Sequence, residues 1–137
     1  MKPKFDTSKY IMIPYKNKGR DFDGSDCWGL VRLIYENEFH LPLPSLSNKY
    51  SDASEGKMVA ETVRSGKGTI EHKQKHTPEY GDIVVFNIAG NPCHVGVYIG
   101  RERVLHVLKG TDSTIERLNS FRLKGRVEGY YEILQTN

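Results

Sequence analysis

Between positions 26 and 39 the chain carries Trp28, Leu30, Val31, Leu33, Ile34, Tyr35 and Phe39 at helical spacing, and they cover more than one face of the helix they imply. A helix of this kind is not stable on a surface, so other elements must surround it and supply packing on several sides. Asp26 is a good N-cap for its first turn. With 137 residues the chain has room for one core, and neither an internal repeat nor a biased segment divides it. A single domain over 1–137 is expected.

Around that helix the signals fall into two groups. Before it, 10–14 reads as an extended piece closed by Pro14, and 16–25 reads as a loop rich in Gly, Asp, Asn and Lys. After it, 40–52 has two prolines and several serines and reads as a loop, and 53–64 has the periodicity of a second, more exposed helix ending near Gly66. Beyond Pro78 the pattern becomes that of strands over 82–87, 94–99, 104–107, 113–118 and 127–134, with Gly90-Asn91-Pro92 as a turn. Hairpin spacing favours an antiparallel meander, and helices followed by such a sheet make an α+β domain.

Composition removes several classes of function. Twenty Lys and Arg against 17 Asp and Glu leave a net charge of +3, too small and too scattered to argue for nucleic acid. The longest apolar runs, such as Ile83-Val84-Val85-Phe86, fall far short of the roughly 18 residues a membrane span needs. Met1-Lys2-Pro3-Lys4 leads into no signal-peptide core, so synthesis in the cytoplasm without Sec export is expected. Two cysteines, Cys27 and Cys93, do not make a disulfide scaffold, and a free thiol is the better starting point.

Cys27 follows the N-cap and falls in the first turn of the buried helix, where unpaired amides and the positive dipole end favour a thiolate. The same position also suits a small buried residue with no chemistry. A thiolate nucleophile needs an imidazole partner, and the imidazole needs a third group to hold its tautomer and orientation. Five histidines are present: His40, His72, His76, His94 and His106. His94 opens the alternating strand at 94–99, and His106 lies in the next strand. Since 106 minus 94 is 12 and a turn near 100–103 intervenes, the two can lie opposite each other on adjacent antiparallel strands.

Taken together, these segments resemble the NlpC-type cell-wall peptidases, a family of papain-like cysteine endopeptidases that cut peptidoglycan stem peptides. The similarity rests on Tyr15, the loop with Gly19, Asp26-Cys27-Trp28-Gly29-Leu30-Val31, Tyr80-Gly81-Asp82-Ile83-Val84-Val85-Phe86, and His94-Val95-Gly96-Val97-Tyr98-Ile99-Gly100, in that order. His106 falls where the family has its third polar residue. The resemblance implies a papain-like fold, with Cys27 as nucleophile, His94 as general base and then acid, and His106 as orienter of the imidazole. It also implies a catalytic-pocket tyrosine at Tyr15, twelve residues before Cys27 (27 minus 15), donating to the oxyanion beside the Cys27 amide. Peptidoglycan stem peptides are the implied substrate, with the γ-D-glutamyl to diamino acid bond favoured, and neither cofactor nor metal is required. Because Cys27 precedes His94, the unpermuted hydrolase order is favoured over the lecithin:retinol acyltransferase-like branch.

Two departures narrow the resemblance. Trp28 stands where many secreted members carry serine, and Asn17-Lys18 where a Trp-Gly pair is common. Trp28 with Gly29-Leu30-Val31-Arg32-Leu33-Ile34-Tyr35, followed by Leu41-Pro42-Leu43-Pro44, resembles members encoded by tailed bacteriophages. The implied setting is a virion tail, with tail-tip proteins as partners. A structural tail component with dispensable activity, and a cytosolic amidase acting on γ-glutamyl peptides, are the competing expectations.

Other signals are set aside. His72 and His76 would share a helix face, but Lys73 and Lys75 mark a solvated segment rather than a zinc pair. Cys93, adjacent to His94 on a strand, points to the opposite face. Gly66-Lys67-Gly68-Thr69 lacks the first glycine and the Ser/Thr of a phosphate loop, with Glu61 and Gly68 at those places. Lys124 and Arg126 are most simply a wet surface.

Overall fold

The computed structural model describes residues 2–46, 72–88 and 91–134. The helix expected over 53–64, the rest of the loop after position 46 and the Gly66-Lys67-Gly68-Thr69 stretch lie outside the described residues.

The chain opens with a single 3-10 turn, Thr7–Tyr10, capped by Asp6, whose carboxylate accepts from the Ser8 amide. Two very short antiparallel strands, β1 (Arg20–Asp21) and β2 (Gly24–Ser25), lead into helix α1, Cys27–Glu38. Asp26 has extended backbone angles and accepts from the Gly29 amide at 2.8 Å, as an N-cap must. At the other end the Tyr35 carbonyl accepts from the amides of both Phe39 and Leu41, and His40, at φ 53°, turns the chain away. Trp28, Leu30, Val31, Ile34 and Tyr35 are fully buried, which confirms the surrounded helix. Each such side chain contributes about 1.5–3 kcal/mol of burial, so α1 is held by packing rather than by intrinsic helix propensity.

The remaining strands are β3 (His72–Lys75), β4 (Ile83–Ile88), β5 (Asn91–Tyr98), β6 (Arg103–His106), β7 (Thr114–Arg117) and β8 (Val127–Ile133). They form one six-stranded antiparallel sheet in the order β3-β8-β4-β5-β6-β7. Pleat alternation sorts its side chains into two cores. Ile83, Val85, Val95, Val97, Leu105, Val107, Tyr131 and Ile133 face the core that contains α1. Val84, Phe86, Tyr98 and Val104 face the other side, where Leu118 and Leu123 cover them.

The α+β expectation holds, and the meander is correct only in part. Strands β4 to β7 follow one another as expected, but β8 returns across the sheet to pair with β4. The reason lies in β4: Ile83, Val84, Val85 and Phe86 are all fully buried, and a strand buried on both faces belongs in the interior with a neighbour on each side. The strand β3 was not expected. His72, Lys73, Gln74 and Lys75 have none of the β-branched or aromatic residues that mark a strand, and pairing with β8 decides their conformation. An extended backbone there removes the shared helix face supposed for His72 and His76. Tyr10 ends the 3-10 turn rather than opening an extended piece, and the 16–25 loop contains the β1–β2 pair. Among the described residues no helix is long and apolar enough to cross a membrane.

Candidate active site

Cys27 is buried at the first position of α1, the end where helix amides and dipole favour negative charge. Its neighbourhood is built by Asp26 and Arg20. The buried Asp26 carboxylate accepts from the Gly29 amide, from the Lys18 amide at 2.9 Å and from Arg20 Nη1 at 2.8 Å. Arg20 also donates to the Gly19 carbonyl and to the hydroxyl and carbonyl of Ser45. Gly29 makes this clustering possible, because a Cβ there would lie 2.1 Å from the Gly19 carbonyl oxygen. The guanidinium therefore compensates a carboxylate that would otherwise oppose a thiolate one residue away.

His94 and His106 lie on β5 and β6, and both side chains are buried. His94 Nε2 is 2.8 Å from His106 Nδ1. The two are not directly opposite, as the spacing suggests: the register pairs Val97 with Leu105 and Tyr98 with Val104, which sets His106 across from Gly96 and leaves His94 on the diagonal. Phe86 lies against both imidazoles, with ring centroids 5.4 Å and 6.2 Å away. On the far side His106 Nε2 is 2.9 Å from Glu116 Oε1 on β7. Glu116 also stands diagonal to His106, because the β6–β7 register pairs His106 with Thr114. Ser120 Oγ and the Arg122 guanidinium donate to the same carboxylate.

Burial drives His94 well below its ordinary value of 6.5, and the adjacent His106 and Arg122 act in the same direction, with Glu116 opposing. His106 is also lowered by burial, against the hydrogen bond it donates to Glu116 and the carboxylate's charge. Both rings are thus neutral at pH 7, the form a general base must have. Burial raises Glu116, but bonds from Arg122, Ser120 and His106 outweigh it and hold the carboxyl at about 2.

The four residues singled out in the sequence fall into two groups. His94 and His106 are in direct contact. Cys27 stands on the helix packed against β5 and shares the core of Val95 and Val97. Tyr15 is half-buried against that core, and its backbone bridges Ser25, two residues before Cys27, while its amide donates to the Thr111 carbonyl. Cys93 is half-buried near the Ile88 carbonyl, and burial pushes its thiol up, away from nucleophilic character. Sequence reasoning missed Arg20, Gly96, Glu116, Ser120 and Arg122. Only Glu116 left a signal, as an acidic residue inside the strand that follows His106. A cavity of about 610 Å³, lined by Phe5, Tyr80, Tyr98, Arg101 and Arg103, lies at the opposite end of β5 from His94 and contains neither histidine.

A helix with a thiol at its N-terminus, packed on an antiparallel sheet that carries paired imidazoles, defines the papain-like class of α+β folds. Within it the chain belongs to the NlpC/P60 family, whose profile matches residues 12–129. It is 29% identical over 107 residues to Murein DD-endopeptidase MepS/Murein LD-carboxypeptidase of Escherichia coli K12, and equally so to its counterpart in Escherichia coli O157:H7. The match covers 78% of this chain and 48% of the relative, so the chain spans about half the length of the curated relatives it matches. The NlpC/P60 domain of the peptidoglycan hydrolase SagA superposes with a TM-score of 0.63 at 18% identity, covering 92% of each chain. A lipoprotein-like NLP/P60 family protein of Staphylococcus aureus gives 0.65 at 19% identity, covering 98% of this chain and 44% of that one. At such identities the likeness concerns the fold.

Proposed function

We propose that residues 1–137 act as one cysteine peptidase domain that hydrolyses an amide bond in peptidoglycan stem peptides, with Cys27 as nucleophile, His94 as base and acid, and His106 as orienter. The observation that carries this reading is the 2.8 Å contact between His94 Nε2 and His106 Nδ1, which occupies one imidazole nitrogen and leaves Nδ1 of His94 for a thiol. Family membership and the murein endopeptidase named among the relatives supply the substrate class.

In the proposed reaction the thiol proton passes to His94, and sulfur bonds to the carbonyl carbon as the C=O pair moves to oxygen. Tyr15 and the Cys27 amide stabilise that oxyanion. Collapse breaks the C–N bond, and the His94 imidazolium protonates the departing amine. Water, deprotonated by His94, then attacks the thioester and releases the acid and the thiol. The γ-D-glutamyl to diamino acid bond is the first candidate. The relative, named a DD-endopeptidase and LD-carboxypeptidase, adds an internal D,D bond and a C-terminal L,D bond as the others.

Delivery in a phage tail, with tail-tip proteins as partners, is the finer part of the proposal. It rests on the resemblance of the Trp28–Tyr35 and Leu41–Pro44 segments to phage-encoded members; the two segments touch, with Trp28 Nε1 donating to the Pro44 carbonyl and Arg32 Nε to the Leu43 carbonyl, both at 2.8 Å. The tryptophan after Cys27 and the Leu41-Pro42-Leu43-Pro44 stretch therefore go together as one packing unit.

The test is mass spectrometry of defined muropeptides and intact sacculi incubated with the protein and with Cys27→Ala. Cleavage is expected, reduced at least about 10³-fold in the variant, as for loss of a covalent nucleophile. No cleavage of either substrate, with tail proteins co-purifying, would replace this reading with the structural tail component. Turnover of small γ-glutamyl peptides alone would replace it with the amidase.

A further inference from the structure

We propose that Glu116 is a positioning residue that fixes the tautomers of both histidines, so that His94 presents an unprotonated Nδ1 to Cys27. The inference rests on the peptidase reading for the role of His94, and it goes beyond that reading by making a residue on a third strand the source of the base's polarity.

The direction of each hydrogen bond follows from what each group is able to donate. The Arg122 guanidinium has five N–H donors and no acceptor, so its bonds to Glu116, at 2.8–2.9 Å, run one way. Ser120 Oγ adds a second donor at 2.6 Å. Glu116, ionised throughout the neutral range, accepts only, so the His106 nitrogen 2.9 Å away, Nε2, must carry hydrogen. A neutral His106 then has a bare Nδ1. That lone pair lies 2.8 Å from His94 Nε2, which must therefore be the protonated nitrogen of His94. The proton on His94 is thereby spoken for, and Nδ1 is left with its lone pair. Any other assignment sets two lone pairs or two hydrogens against each other in a buried, apolar pocket beside Phe86.

Geometry makes this a built chain rather than an accident of surface charge. His94, His106 and Glu116 step diagonally across β5, β6 and β7, each two residues off the cross-strand partner. Gly96 permits the first step, since a Cβ there would lie 3.0 Å from His106 Cβ. Among the described residues the charged and titratable groups acting on His94, besides the Cys27 thiol it is proposed to serve, are His106, Arg122 and Glu116, and of these three Glu116 favours the imidazolium that forms when the thiol proton arrives.

Two measurements on the whole protein test it. Nitrogen-15 spectra of the histidine rings should show hydrogen on Nε2 of both His94 and His106 at neutral pH, and hydrogen on Nδ1 of His94 would overturn the proposal without any variant. The second measurement follows alkylation of Cys27 by iodoacetamide against pH, in a Cys93→Ser background that removes the other thiol. In Glu116→Met, a side chain of similar length with no oxygen, His106 Nε2 loses its acceptor and the chain of tautomers is no longer fixed. The apparent thiol pKa should rise by about one unit and the rate at pH 7 fall about tenfold. Arg122→Ala, which removes a charge that opposes the imidazolium, should not reproduce this rise, and an equal rise in that variant would overturn the proposal. Against muropeptides, kcat of Glu116→Met should fall with KM unchanged. An unaltered alkylation profile in folded Glu116→Met overturns the proposal even if cleavage is lost. If the profile shifts as expected but the wild-type protein cleaves no muropeptide, the peptidase reading falls and the role of Glu116 stands.

Discussion

Gly96 shows how much of the site depends on single atoms. It lies between His94 and Tyr98 on the sheet face shared with Phe86 and Val104, and a methyl group there would meet Val104 Cγ2 at 2.6 Å and His106 Cβ at 3.0 Å. Both neighbours are buried, so the strain cannot escape into solvent. Gly96→Ala should cost about 1–3 kcal/mol of stability by overpacking and pull His106 away from His94. Urea denaturation and kcat/KM on a muropeptide check this together, with at least a tenfold loss of activity expected. A variant with the wild-type midpoint and rate would mean that β5 and β6 separate freely, and the diagonal contact would lose its special status. Cys27, His94 and His106 were singled out from helix capping, strand spacing and a family resemblance, and Tyr15 from the resemblance alone; of these the structure brings His94 and His106 into direct contact. Glu116 was not singled out, because its partnership with His106 depends on which strand becomes the neighbour of β6.

At the level of elements, the beginning of α1 matters most. A helix N-terminus, a buried aspartate and an arginine from the preceding short strand converge where Cys27 stands. Removing one member of a buried ion pair leaves the other charge uncompensated, which costs about 3 kcal/mol or more. Arg20→Ala should therefore lower the unfolding free energy by about that amount, read as a lower urea midpoint, and Arg20→Lys should recover only part of it, since a lysine cannot serve Asp26, Gly19 and Ser45 at once. The same variant should slow alkylation of Cys27 at pH 7, because the Asp26 carboxylate then opposes the thiolate. An unchanged midpoint would show that the Gly29 and Lys18 amides hold Asp26 without help. The helix itself was legible from its apolar residues and its N-cap, but the arginine was not. A lone Arg in a Gly- and Asp-rich loop carries no sign of a buried partner.

For the molecule as a whole, the buried histidines tie stability to pH. His94 and His106 have folded values below 6.5, so between those values and 6.5 the unfolded chain binds protons that the folded one refuses. Their contribution is complete above 6.5 and is lost as the pH falls below it. Glu116, held at about 2 against its ordinary 4.5, contributes in full above 4.5 and loses that contribution between there and about 2. The urea midpoint should fall from pH 7 to pH 5, and fall again below pH 4.5. His94→Gln should flatten the first decline and leave the second. A midpoint constant between pH 7 and 5 would mean that neither histidine is kept neutral by the fold.

What the sequence determined by itself was whatever depends on near neighbours along the chain: the surrounded helix behind Asp26, the alternating strands beyond Pro78, and the order of thiol before imidazole. Tertiary structure decided the rest. It made the polar segment His72–Lys75 a strand by pairing it with β8, and it inserted β8 beside the fully buried β4. It also set Glu116 behind His106 and Arg20 behind Asp26. These outcomes depend on contacts between residues far apart in the chain, formed once burial of both sheet faces has fixed the strand order, and no local pattern encodes them.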